Sequence, residues 1–196
     1  ETRRKKAVSL CLLMCGLLLF SGCSGGVPDQ DTISVDKRGR VTSTIVEDFD
    51  KDFYDADELE AEIEEELADY NRNFAADHIR IESFEVKDGV ATLQLVFDES
   101  QYYADYTGMT LFVGTRSEAE EEGYDLPDDF VEPNENAADL DVLDSDGSAH
   151  VLILEEAVQV RVPGTILAVC PEDNVTVTGD REASAAEPEL SYIIYK

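Results

Sequence analysis

Residues 55–97 read DADELEAEIEEELADYNRNFAADHIRIESFEVKDGVATLQLVF, and within this stretch the hydrophobic period changes from helical to strand-like. Leu59, Ile63, Leu67, Tyr70 and Phe74 recur at steps of four, four, three and four, which puts them on one face of a helix. The opposite face carries Glu60, Glu62, Glu64, Glu65, Glu66 and Asp69, so the helix is amphipathic and must pack against something. Asp55 as N-cap with Glu58 three residues on has the form of a capping box, and acids in the first turn suit the helix dipole. The pattern predicts a helix over 55–76. From Ile79 the apolar residues alternate, and 79–86 and 90–97 read as strands joined at Lys87-Asp88-Gly89. An Asp-Gly pair between alternating arms is a hairpin signal. Helix followed by hairpin predicts an α+β fold: one main amphipathic helix packed on a largely antiparallel sheet.

The flanks extend this plan. Upstream, Thr32–Val35 and 40–46 read as strands around the turn Asp36-Lys-Arg-Gly39. Downstream comes a polar, aromatic segment with Tyr102, Tyr103 and Tyr106, then a strand at 110–113 ending at Gly114. Residues 117–123 suggest a short capped helix with a glycine stop. Residues 124–148 are acidic, contain Pro127 and Pro133, and read mostly as loop. The C-terminal part reads as all strand, at 151–154, 157–162, 165–169, 175–178 and 190–195, with Pro163-Gly164 as the centre of a type II turn. A β-solenoid over 151–180 is the competing reading, but no repeat of fixed length supports it.

The N-terminus has its own logic. Arg3, Arg4, Lys5 and Lys6 precede an uncharged, Leu-rich run from Ala7 to Phe20. A basic n-region, a short apolar h-region and small residues before a cleavage point make an export signal. The run is shorter than the roughly 20 residues a permanent membrane helix needs. Leu19-Phe20-Ser21-Gly22-Cys23 resembles the lipobox of bacterial lipoproteins. That resemblance implies a diacylglyceryl group on the Cys23 thiol, cleavage between Gly22 and Cys23, and a protein tethered on the extracytoplasmic face of the cell membrane. The expected organisation is a signal peptide at 1–22, the lipidated cysteine and a Gly/Pro-containing tether at 23–31, and one acidic domain at 32–196.

Processing at Cys23 would leave 196 − 22 = 174 residues, one domain's worth of chain with enough length to bury a core. The 15 basic and 45 acidic residues give a net charge of −30. Removing four basic residues and Glu1 leaves 11 and 44, a net of −33. Such a surface repels phosphate backbones and anionic headgroups, which excludes nucleic acid as a partner and leaves membrane attachment to the acyl chains. After loss of Cys11 and Cys15 and lipidation of Cys23, only Cys170 remains, so no disulfide forms within the domain. Cys170 lies in an apolar run and reads as a buried structural thiol.

A search for chemistry yields little. His78 and His150 lie in no recognisable motif, and the chain has no Gly-Xaa-Ser-Xaa-Gly, phosphate loop or His-Glu-Xaa-Xaa-His. No cofactor is implied. Asp144-Ser-Asp146-Gly147 resembles part of a calcium loop, but the register puts Val142 and Ile153 at two essential ligand positions, which excludes an EF-hand. An irregular site from Asp139, Asp141, Asp144 and Asp146 remains the metal candidate, with calcium as its ion. Tyr102, Tyr103 and Tyr106 are the candidates for a sugar- or peptide-stacking surface. Thr44-Ile-Val-Glu-Asp-Phe-Asp50, Leu111-Phe-Val-Gly-Thr115, Val160-Arg-Val-Pro-Gly164 and Tyr192-Ile-Ile-Tyr-Lys196 are similar to strings in uncharacterised lipoproteins of Gram-positive gut anaerobes. That resemblance implies location and no activity.

The functional expectation is therefore a non-enzymatic, lipid-anchored module that binds or scaffolds an envelope protein. The alternatives are a calcium- or small-ligand-binding lipoprotein, and a wall-polymer enzyme using carboxylates.

Overall fold

The structure, a computed structural model, describes residues 27–51 and 54–196. The expected signal peptide, the expected lipidation site Cys23 and the first part of the expected tether lie outside the described residues. No helix among the described residues is long and apolar enough to cross a membrane.

Strands β1 (Thr32–Val35) and β2 (Val41–Asp48) form a hairpin around the expected turn. The Asp36 carboxylate accepts from the N–H groups of Arg38 and Arg40, and Gly39 takes a φ of +80° that a side chain would resist. Helix α1 (Ala56–Asn71) follows, capped by Asp55, whose side chain accepts from Asp57 N–H and Glu58 N–H. Strands β3 (Ile79–Lys87) and β4 (Val90–Phe97) make the expected hairpin, with Asp88 and Gly89 at φ +52° and +81°. Positive φ at both turn residues matches the twist of the two strands, which is why Asp-Gly serves there.

Helix α2 (Ser100–Thr107), strand β5 (Leu111–Thr115), and helices α3 (Arg116–Glu121) and α4 (Leu140–Leu143) come next. Strands β6 (His150–Leu154), β7 (Val158–Arg161), β8 (Ile166–Cys170), β9 (Val175–Gly179), β10 (Glu182–Ala185) and β11 (Ser191–Tyr195) complete the chain. The fold is mixed α and β but predominantly β, with α1 as its one main helix.

The expected single sheet is two. The larger has the order β3-β4-β2-β1-β7-β10-β9, and the smaller β5-β6-β11-β8. Every pairing is antiparallel except β1 with β7. The inner face of the larger sheet, with Ile33, Val35, Val41, Leu95 and Phe97, meets Leu111, Leu152, Leu154 and Ile193 from the smaller. The other face of the smaller sheet, with Val151, Ile153, Ala168, Cys170 and Ile194, is covered by Ala119, Phe130, Leu140 and Leu143. The acidic stretch read as loop is thus a third layer. Phe130 is fully buried there, and Val131 bridges Val169 on the edge of β8.

Four further expectations are corrected. Helix α1 stops at Asn71, not 76, because the asparagines end it: Asn73 Nδ2 donates to Tyr70 O and Asn71 turns its amide to the next strand. The polar, aromatic segment is α2, closed by Gly108 at φ +75°. Strand β10 was hidden by its small residues, Glu-Ala-Ser-Ala, which carry little strand preference but fit the tight space against β7. Gly164 does not take the positive φ of a type II turn. It is needed because a Cβ there would collide with the Lys196 backbone, which exchanges two hydrogen bonds with Thr165.

Candidate functional site

The corner where α1 meets β3 is built around Asn71, one of few buried polar residues. Its Oδ1 accepts from His78 N–H at 3.0 Å and Ile79 N–H at 3.2 Å, and its Nδ2 donates to Ile79 O at 2.8 Å. A side-chain amide here serves both backbone groups of Ile79, as a neighbouring strand would. β3 is an edge strand, and among the described residues only β4 pairs with it. Asp98 N–H donates to His78 O, so His78 faces β4 and Ile79 faces outward. By the same alternation the N–H and C=O of Ile81 also point away from β4. A bulge between Ile81 and Ser83 ends that register, which limits open-ended pairing along the edge.

Between the last turns of α1 and this edge lies a groove of about 610 Å³. Leu67, Ala68, Asn71, Ile79 and Ile81 line it, with Phe74, Ala75 and Ala76 from the connection. Glu64, Arg72, Asp77 and Arg80 stand among its charged residues. These are two acids and two bases, so the lining itself is balanced; the excess of carboxylates lies elsewhere on the exposed surface of α1, at Glu62, Glu65, Glu66 and Asp69.

Behind the groove, the sequence-predicted tyrosines come together with Tyr70 of α1 and with Phe74 and His78 from the connection to β3. Tyr102 stacks on His78 with centroids 4.1 Å apart and meets Phe74 edge-on. Tyr106 sits edge-on to Tyr70 and near Phe97. Tyr103 is buried, and its hydroxyl donates to Glu156 at 2.8 Å. The three tyrosines are thus spent on packing α1 and α2 to the sheet. Phe74 is the member left outside, at 38 % exposure. His78 Nδ1 lies 3.2 Å from Asp98 Oδ2, and Arg80 reaches the other oxygen of Asp98. Among the described residues, the buried hydroxyl of Tyr70 has no hydrogen-bond partner. Burial pushes the Glu156 carboxyl above its ordinary range, opposed by the Tyr103 hydrogen bond. Burial likewise raises Asp31 and Glu47, with Asp31 raising Glu47 further.

The four candidate calcium ligands are not assembled. Asp139 caps α4 through the N–H groups of Asp141 and Val142. Asp144 accepts from Ala149 N–H, and Arg116 stands 3.5 Å from Asp141 and 3.9 Å from Asp144. Asp146 pairs with Lys196 at 2.6 Å, a contact that holds its carboxyl down at about 2. Among the described residues, no three acidic, His or Cys side chains are grouped to hold a metal ion. Cys170 is buried, and its thiol is pushed up to about 12, by burial and then by the Asp129 carboxylate it contacts at 3.4 Å. A thiol held protonated is no nucleophile.

Compared with known proteins, the chain matches no family model, no curated protein and no solved structure. Its function rests on its own residues. The sequence pointed to the tyrosines, but the groove beside them depends on Asn71 and on Ala68, Ala75 and Ala76, small residues that leave space. The one signal that could have found it was Asn-Arg-Asn at the end of a helical stripe, where poor helix formers stop α1 short of its strand.

Proposed function

We propose that this protein is a non-catalytic binding module, held on the extracytoplasmic face of the cell membrane by a lipid on Cys23. The α1–β3 groove takes a short, extended, positively charged segment of an envelope protein. The groove carries this reading: it combines an apolar floor with outward backbone groups at Ile81, and the helix that flanks it is rich in exposed carboxylates beyond the lining itself. Helix and edge strand side by side form the geometry in which an extended peptide adds to a sheet and buries alternate side chains. The exposed carboxylates of α1 and the net charge of −30 favour a cationic segment and speed its approach. They also oppose association of two copies of this chain. The basic n-region and the Leu-Phe-Ser-Gly-Cys string support the lipid anchor.

Chemical cross-linking on intact host cells tests the reading. A single, near-stoichiometric protein partner is expected with the wild type. It should be lost when Ala68→Trp fills the groove, while the folded domain and its membrane fraction are unchanged. No enriched partner, or one indifferent to Ala68→Trp, would overturn it.

A further inference from the structure

The two acids and two bases that line the α1–β3 groove are not equally free. Arg72 pairs with Asp69, and Arg80 reaches Asp98 at 3.3 Å; both of those acids lie outside the lining. The lining acids have no such counterpart. Glu64 and Asp77 are exposed, and among the described residues neither carboxylate has an ion pair or a hydrogen bond. What the lining leaves unneutralised is therefore a pair of carboxylates, although its charged residues balance in number.

The two carboxylates stand apart. Glu64 lies two helical turns before Asn71, about 10 Å along the axis. Asp77 lies beyond the helix, just before Ile79, whose N–H and C=O the Asn71 amide holds. An extended chain advances about 3.3 Å per residue, so bases reaching both carboxylates start at least about three residues apart. β3 turns back along α1, which brings Ile81 between the two acids. The N–H and C=O of Ile81 point outward, so a residue laid opposite takes both bonds and shares the face of the Ile81 side chain, which packs on the core. Side chains alternate along an extended chain, so the residues two before and two after it return to that same face. At the Asp77 end the lining also holds Phe74, a ring 38 % exposed. A planar guanidinium lies on such a ring while its fork reaches a carboxylate, and a more strongly hydrated ammonium gains less there.

We infer, on the footing that the groove binds a cationic segment, that Glu64 and Asp77 set its specificity. The segment they select has an apolar side chain flanked two residues away on each side by a base, with arginine at the Asp77 end. The apolar residue pairs with Ile81 and covers the floor, and the two bases answer the two unpaired carboxylates. Specificity of this kind depends on the spacing of the bases and not on their number, which separates it from the general attraction of a chain with a net charge of −30.

The test is fluorescence anisotropy of end-blocked, dye-labelled heptapeptides titrated with the full-length chain in detergent, at about 0.15 M salt to screen long-range attraction. Thr-Arg-Thr-Val-Thr-Arg-Thr should bind at least about fivefold tighter than Thr-Thr-Arg-Arg-Val-Thr-Thr, which has the same composition and charge. Glu64→Gln and Asp77→Asn should each weaken the first peptide by about threefold to fivefold, with melting temperatures at the wild-type value. Glu62→Gln, an exposed acid of α1 outside the lining, should leave it unchanged. Lysine in place of both arginines should weaken binding severalfold, and Phe74→Leu should remove that difference. Equal binding of the two arginine peptides, or indifference to both Glu64→Gln and Asp77→Asn, would overturn the inference; if Ala68→Trp still abolished that binding, the groove itself would stand. Binding that Ala68→Trp leaves intact would place the peptide elsewhere and overturn both. No binding by any of the peptides would also overturn the inference, while cross-linking on cells decides the groove separately.

Discussion

Replacing Asn71 with Ala should cost the domain about 3 kcal/mol. Asn71 is 8 % exposed and its amide makes three hydrogen bonds to His78 and Ile79, the latter 1 % exposed. A net contribution of about 0.5–1.5 kcal/mol for each bond gives roughly 1.5–4.5 kcal/mol. The upper end would require all three backbone groups to stay dry, and the adjoining groove lets water reach some of them. Against a total stability of about 5–15 kcal/mol this is a large fraction. For a chain of this size it corresponds to a melting temperature lower by about 6–12 °C. Urea unfolding followed by far-ultraviolet circular dichroism is the assay, with the midpoint falling and the slope unchanged. Asn71→Asp should lie between the two, since it keeps the acceptor for two N–H groups but sets a carboxylate against the Ile79 carbonyl. An Asn71→Ala domain within about 0.5 kcal/mol of wild type would refute the idea that this amide holds β3 to α1.

Tyr70→Phe should leave stability unchanged or raise it by about 1 kcal/mol, because its buried hydroxyl has no partner and removing it relieves a desolvation cost; a loss above 1 kcal/mol in the same assay would mean the hydroxyl is bonded. Glu156 titrates above its ordinary range in the folded protein, so its cost is absent below the unfolded pKa and fully present above the folded one. Glu156→Gln keeps an acceptor for Tyr103 and should gain stability over wild type as pH rises through the folded value; parallel stability–pH curves for the two proteins would contradict this. Cys170, held near 12, should resist alkylation at pH 8 in the folded protein and react at once in urea, and fast reaction of the folded protein would place the thiol at the surface.

Local chemistry made much of the fold legible. The stripe at Leu59, Ile63 and Leu67, the Asp55 cap, and the turns at Gly39 and Asp88-Gly89 each set backbone geometry through the residue itself, so sequence alone located them. Division into two sheets depends on which strands pair across long separations, such as β1 with β7, and no local period encodes that. One clue was present: Val151–Leu154 and Tyr192–Tyr195 do not alternate, and strands apolar on both faces must be covered on both. The second cover is the stretch around Phe130 and Leu140, whose many acidic residues mask its few apolar ones in the sequence. The tyrosines are neighbours in the sequence, but their partners Tyr70, from α1, and Phe74, from the connection after it, are joined to them only by the fold. The four aspartates of the calcium candidate stand apart for a related reason. Spacing put four aspartates in one segment, and Arg116, Lys196 and the α4 N-terminus claimed them.

The most direct measurement places a photo-activatable cross-linker at Ala75, in the groove, and separately at Glu121, on α3, in the full-length protein on intact cells. Binding at the groove predicts one protein adduct from Ala75 whose cross-linked peptide is rich in Lys or Arg, and none from Glu121. No adduct from Ala75, or the same adducts from both positions, would contradict it.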